Sequence, residues 1–201
     1  MLAYHRAVAK RATRIAALSA AAVAVGVAVT RGRGRELDED LFKRLNAGLG
    51  PRADAFFSGI TELGSIWASV GAAAALTAFG ERRAAARGLA AASTAWLAGQ
   101  GLKRGFLRAR PYLADEEGTR LLIGRPRGTS WPSSHPAVLL AFTTAASREL
   151  GLGRSSRAGL SALAGAVGLS RIYLGVHYPG DVVGGLLLGR AIGEAWSGAP
   201  R

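Results

Sequence analysis

Cysteine is absent from all 201 residues. That excludes disulfide staples, thiolate nucleophiles and cysteine-ligated metals, and it leaves the redox compartment unreadable. Aromatic residues are also scarce, at 7% of the chain. They are too few to form a platform on which bases stack, so nucleic acid is disfavoured as a partner even though the chain is basic. Asp and Glu total 13 against 26 Lys and Arg, for a formal charge of +13. A surplus of this sign points to an anionic substrate or an anionic membrane surface. Long uncharged runs are missing too. The best are Ile15–Thr30, Leu63–Gly80, Gly88–Leu102, Pro136–Ser147, Ala158–Ser170 and Val182–Gly189, and several fall short of the ~20 residues that cross a hydrocarbon core.

What is present fills those gaps with small apolar residues. Hydrophobic residues make up 49% of the chain and glycine contributes 28 positions. Six apolar segments in so short a chain leave few amphipathic faces, which a soluble helical bundle should show. Small residues also suit close helix packing in lipid. The expectation is an all-α, six-transmembrane-helix bundle forming one domain over residues 15–198, with a basic cytoplasmic tail at 1–14. A soluble bundle is the rival. Between the first two spans, Leu37, Leu41, Leu45 and Leu49 recur every fourth residue, with Asp38, Glu39, Asp40, Lys43 and Arg44 on other faces. That spacing predicts an amphipathic helix, lying in the membrane interface or packed across the bundle. An even number of spans brings both termini to one side. It gathers Lys103, residues 131–136 and residues 171–181 on the other.

Those three stretches hold the chemistry. The last reads Ser170-Arg171-Ile-Tyr-Leu-Gly-Val-His177-Tyr-Pro-Gly-Asp181. Pro179 suits the first position of a helix, which puts Asp181 in the first turn, where a carboxylate complements the helix dipole. From there it can reach back to one ring nitrogen of His177, fixing the tautomer and leaving the other nitrogen as a nucleophile. Arg171 offers a planar fork for an oxyanion. Taken alone, the spacing fits a buried histidine at a helix cap equally well. The first stretch runs from Lys103 to Arg110 and Pro111, and the second is Trp131-Pro132-Ser133-Ser134-His135-Pro136. Pro136 disfavours a helical residue before it, so His135 is expected as the cap and Pro136 as the first helical residue.

Together the three stretches resemble the motif set of the type-2 phosphatidic acid phosphatase superfamily: Lys-x6-Arg-Pro, Pro-Ser-Gly-His and Ser-Arg-x5-His-x3-Asp, in that order. Ser134 stands where the family usually has glycine. If that glycine needs a positive φ, Ser134 would be strained. The resemblance implies a metal-independent membrane phosphatase without a cofactor. In it His177 forms a phosphohistidine, Asp181 orients His177, and His135 is the general acid. Lys103, Arg110, Ser133, Ser134 and Arg171 hold the phosphate. It implies a lipid phosphate monoester or diphosphate as substrate (phosphatidic acid, phosphatidylglycerol phosphate or a polyprenyl diphosphate), in the plasma (inner) membrane with the site facing outward. Two alternatives stay open: a non-catalytic membrane protein that binds or transports phospholipid, and an enzyme like the vanadium haloperoxidases. Leu121, Leu122, Ile123 and Trp131 are the expected apolar contacts for a lipid near the motifs.

Overall fold

A computed structural model describes residues 1–198, apart from the side chains of residues 2 and 3. Nine α-helices and one 3-10 turn make up the regular structure of these residues. Helix α1 spans Leu2–Arg31, so residues 1–14, expected as a separate tail, begin this helix instead. Ala, Leu, Arg and Lys are strong helix formers, and no glycine or proline occurs before Gly26. The basic end of α1 is also docked. Arg11 donates to the carbonyls of Ser197 (2.6 Å) and Gly198 (2.9 Å), and Arg14 pairs with Glu194 at 3.2 Å.

Helix α2, Gly34–Leu45, is the expected amphipathic helix. Its leucines at 37, 41 and 45 face outward, while Asp38 and Phe42 are buried. Phe42 packs on Ile172, Tyr178 and Val182. Helix α3 (Pro51–Ile60) lies just before the expected second span, and the 3-10 turn Thr61–Gly64 and α4 (Ile66–Ala78) occupy that span itself. The path bends by 64° at the break. Ser65 adopts an extended conformation there, and its hydroxyl caps α4 by accepting from the Ala68 N–H at 3.0 Å. Helix α5, Arg82–Phe106, is followed by a single turn, α6 (Pro111–Ala114), and a long loop. Leu122 pins that loop through its N–H to the Leu174 carbonyl, 3.3 Å away.

The remaining helices are α7 (Ser134–Glu149), α8 (Arg154–Tyr173) and α9 (Pro179–Trp196). Helix α7 is the central pillar, buried from Pro136 to Ser147. Its contact with α9 relies on glycines spaced four apart. A Cβ on Gly185 or Gly189 would collide with the carbonyl of Ser133 or Ala137, and one on Gly193 would come within 2.8 Å of the Ala141 carbonyl. On the other side, Ala141 and Ala145 meet Ala91 and Ala95 of α5.

The bundle is thus all-helical, as expected, but its length and composition give fewer clear spans than six. Among the described residues, helix α1 alone is long and apolar enough to cross a bilayer, and the bent α3–α4 pair supplies a second span if counted as one. Arginine and glycine dilute α5, α8 and α9. Helix α7 has 16 residues and needs no apolar surface, because protein covers it. Val23, Val27, Val70, Phe79, Leu97 and Val183 all point away from the core. Both ends of the described chain meet at one end of the bundle.

Candidate active site

The opposite end gathers the three sequence stretches. Helix α8 finishes at Tyr173, and Gly175 turns the chain at φ +81° with no room for a side chain against the Arg120 carbonyl. His177 then sits in a short loop, with its N–H on the Arg171 carbonyl at 3.2 Å. Pro179 opens α9 and Asp181 lies in its first turn, as the sequence predicts. Asp181 is fully buried and uses both oxygens. Oδ2 accepts from the Tyr178 N–H at 2.9 Å and from the Ser130 hydroxyl, and lies 3.4 Å from His177 Nδ1. Oδ1 accepts from Arg108 Nη1 at 2.8 Å.

The other ring nitrogen of His177, Nε2, is 3.1 Å from Arg110 Nη1. Arginine carries only donors, so Nε2 presents its lone pair and the ring proton resides on Nδ1, beside Asp181. Burial, with Arg110 and Lys103 adding to it, holds the His177 pKa well below the usual histidine range, against the opposing pull of Asp181. The ring is therefore neutral at ordinary pH, with its free nitrogen toward the cleft.

The cations come from the end of α5 and the segment beyond it. Lys103 donates from Nζ to the carbonyls of Thr129 (2.9 Å) and Ser130 (3.2 Å). Leu107 ends the helix in the left-handed region, at φ 51°. Beyond it, Arg108 and Arg110 are buried while Ala109 between them is exposed, as residues two apart in an extended segment share a face. Arg110 is braced by the Gly128 carbonyl at 2.9 Å and the Val176 carbonyl at 3.0 Å. Arg171 donates from Nη1 to the Thr61 hydroxyl at 2.9 Å, and its Nε is buried without a partner.

Ser133 is the N-cap of α7, with its N–H on the Asp181 carbonyl at 2.9 Å. Ser134, His135 and Pro136 are the first three helical residues, so His135 lies inside the helix and is not its cap. Pro136 itself forfeits no helical hydrogen bond, because first-turn N–H groups have no partner in the helix, and the steric restriction it places on His135 does not keep that residue out of the helix. Leu107 is the one non-glycine residue with positive φ among the described residues, so the strain considered for Ser134 does not arise. The hydroxyls of Ser133 and Ser134 are buried and unpartnered.

A cleft of about 250 Å³ draws these groups together. Lys103, Arg110, Arg127, Arg171, Ser134, His135 and His177 line it on the polar side, with Ile66, Trp67 and Trp96 on the other. Ser133 and Asp181 stand behind that lining. Trp131, expected as a lipid contact, is fully buried, with its ring centroid 3.9 Å from that of Phe106. Trp67, 78% exposed, has the position that Trp131 lacks. No group of three or more His, Asp or Glu side chains suited to a metal occurs among the described residues; the charges converging on the cleft are cationic.

Three supporting residues had no part in the sequence expectations: Ser130, Arg108 and Asp38. Arg108 bridges two buried carboxylates, reaching Asp181 at 2.8 Å and Asp38 at 2.7 Å, and stacks on the Tyr178 ring at 4.1 Å. Asp38 also accepts from the Gly180 N–H at 2.6 Å. The alternation in Arg108-Ala-Arg110 is a signal for the first of the pair. Asp38 has none. Arg108→Ala strands both carboxylates and should cost about 3–5 kcal/mol, the usual penalty for breaking a buried ion pair from one side. Asp38→Asn keeps an acceptor for Gly180 and should cost less. Thermal unfolding in detergent checks the order, and an unchanged Arg108→Ala protein would disprove the bridge.

Comparison with known proteins bears on the fold and the family. The chain is similar to decaprenylphosphoryl-5-phosphoribose phosphatase of Mycolicibacterium smegmatis, 35% identical over 125 residues, which are 59% of this chain and 62% of the relative. With the enzyme of that name from Mycobacterium tuberculosis H37Rv it shares 39% over 93 residues, 46% of this chain and 48% of the other. The match thus takes in less than two thirds of either relative. Among solved structures, the first transmembrane PAP2 type phosphatidylglycerolphosphate phosphatase from Bacillus subtilis shares the fold, with a TM-score of 0.71, 22% identity and coverage of 91% of this chain and 94% of that one. Aquifex aeolicus LpxE gives a TM-score of 0.69 at 28% identity, covering 78% and 92%. The model of the PAP2 superfamily matches residues 67–198, which contain all three stretches around the cleft, and the chain belongs to that superfamily.

Proposed function

We propose that this protein is a membrane phosphatase that removes phosphate from a lipid monoester or diphosphate through a phosphohistidine intermediate. The observation that carries it is His177: a buried neutral ring with an unprotonated Nε2, 3.1 Å from Arg110 Nη1, on the wall of a cleft shared with His135 and four cations. In this reading the Nε2 lone pair attacks phosphorus and the bond to the leaving oxygen breaks. His135 delivers a proton to that oxygen. The proton on Nδ1 stays, and Asp181 stabilises the resulting cation. Water then attacks the phosphohistidine, His135 takes up its proton, and phosphate leaves. Lys103, Arg110, Arg171 and the donors at the start of α7, Ser133 and Ser134 among them, balance the charge on the phosphoryl oxygens.

The lipid assignment is supported by the apolar side of the cleft. Trp67 and Trp96 are exposed beside it, as expected of tryptophans at a membrane interface. The names of the relatives involve phosphate on a lipid-linked sugar and on a glycerolipid, which widens the range of candidates. Phosphate release should be compared for phosphatidic acid, phosphatidylglycerol phosphate, a polyprenyl diphosphate and a polyprenyl-linked phosphosugar, beside soluble glycerol phosphate. The expected result is a kcat/KM at least tenfold higher for one or more of the lipids. Preference for glycerol phosphate would end the lipid assignment and leave the chemistry of His177 standing.

The proposed setting is the plasma (inner) membrane, with six crossings, both termini in the cytoplasm and the cleft outside. The basic start of α1 supports it. A cysteine introduced at the exposed Arg125 should react with an impermeant maleimide on intact cells. Reaction only after lysis would reverse the orientation. Ser130, also in this loop, is fully buried and unsuitable.

A further inference from the structure

We propose that a second site, at the end of the bundle opposite the histidine cleft, binds a phosphate-bearing anion. A cavity of about 380 Å³ opens there between α1, α7, α8 and α9, lined by Arg14, Arg148, Arg154, Arg157, Arg190 and Thr144. Thr144 lies nine residues beyond His135 on α7, roughly 13 Å along the axis at 1.5 Å per residue, so one phosphate cannot occupy both sites.

The charge at this site is unbalanced. The carboxylate of Glu194, 1% exposed, lies 3.2 Å from Arg14, 3.3 Å from Arg148 and 2.9 Å from Arg190. Arg154 and Arg157 make no ion pair among the described residues. Five guanidinium groups around one carboxylate leave a local charge of +4. The nearby Glu149 is already held by Arg87 at 3.2 Å, and Arg11 faces backbone carbonyls. Guanidinium groups gathered this closely repel one another unless an anion joins them.

A second observation points the same way. The Thr144 hydroxyl is buried, on a residue 5% exposed, has no hydrogen-bond partner, and belongs to the cavity lining. Leaving such a group unpaired is costly. A bound oxyanion accepts its hydrogen bond and satisfies the arginine forks together, which suits tetrahedral phosphate with several acceptor oxygens. The amides opening α8, a helix of 20 residues that begins at Arg154, add donors at the same end. Phosphate on a lipid head group and phosphate on a soluble ligand present the same oxygens, so the site takes either by its chemistry.

The test uses the full chain in detergent with Arg110→Gln and His177→Ala, which suppress binding at the first cleft. Pyrophosphate and short-chain phosphatidylglycerol are titrated calorimetrically at fixed ionic strength. Adding Arg154→Gln and Arg157→Gln should weaken the tighter of the two probes at least tenfold. Arg154→Lys with Arg157→Lys, which keeps the charge and loses the forks, should weaken binding less than the glutamine pair does. Thr144→Val, nearly the same size without the hydroxyl, should weaken it severalfold. Tighter binding of phosphatidylglycerol assigns the site to head groups, and tighter binding of pyrophosphate assigns it to soluble anions. No binding of either probe to the starting protein, or affinity unchanged by the double glutamine variant, overturns the proposal. Unchanged thermal midpoints without ligand establish that the variants fold.

Discussion

His177→Ala should remove nearly all turnover, on the order of 10⁴-fold or more as for other covalent nucleophiles, and leave the fold in place. Its neighbours hold each other without it. Arg110 keeps the Gly128 and Val176 carbonyls, and Asp181 keeps Arg108, Ser130 and the Tyr178 N–H. Loss of activity at an unchanged thermal midpoint is therefore the expected pair of results. The native protein supplies a companion measurement in its pH profile. Burial, then the charges of Arg110 and Lys103, depress the His177 pKa. A base with a depressed pKa keeps its lone pair as pH falls through the ordinary histidine range, so activity persists there and fails only at lower pH. After correction for the second ionisation of the phosphate ester, near pH 6 (about), kcat/KM should show no acid limb at about 6.5. An alanine variant with a tenth of native activity would remove His177 from the covalent step.

His135→Ala should have an effect that depends on the leaving group. A lipid alkoxide is a poor leaving group and needs a proton, so loss of the acid should cost ~10²- to 10⁴-fold. p-Nitrophenolate leaves without one, and the cost with p-nitrophenyl phosphate should be far smaller. His135 sits in the first turn of the most buried helix of the bundle and on the wall of the same cleft as His177, so it is presented to substrate on a firm support. Equal losses with both substrates would mean that it binds or positions the phosphate and is not the acid.

The parts of this site that were legible in the sequence are local or motif-based. His177, Pro179 and Asp181 lie within one turn of chain, and the rules for helix starts place the carboxylate correctly. Lys103, Arg110, His135 and Arg171 were legible as members of a known motif set, and alternation of helices predicted their meeting at one end. Asp38 was illegible for a physical reason. It lies among Glu39 and Asp40 on a helix whose leucines mark the apolar face, and its partner Arg108 is 70 positions away. A buried ion pair between distant elements leaves no periodic trace. The leucines of α2 left two orientations open, and their outward position shows that an apolar stripe near a membrane need not face the core. The first fourteen residues read as a tail from their charge, although their intrinsic preference is helical and Arg11 and Arg14 dock them to the end of α9. Trp131 looked like a lipid anchor by type, but only its packing against Phe106 reveals it as a core residue.

The glycines of α9 act as a gauge block. His135 is carried at the start of α7, and Asp181 and the loop of His177 at the start of α9, so the separation of the proposed acid and the proposed nucleophile is set by how closely these two helices approach. Gly185 and Gly189 bring backbone against backbone with nothing between. Any side chain there would enter as a shim, and it would spread the two histidines without touching either. The constraint on the proposed reaction is thus written in residues that have no functional groups, and a side chain at either position is expected to lower activity.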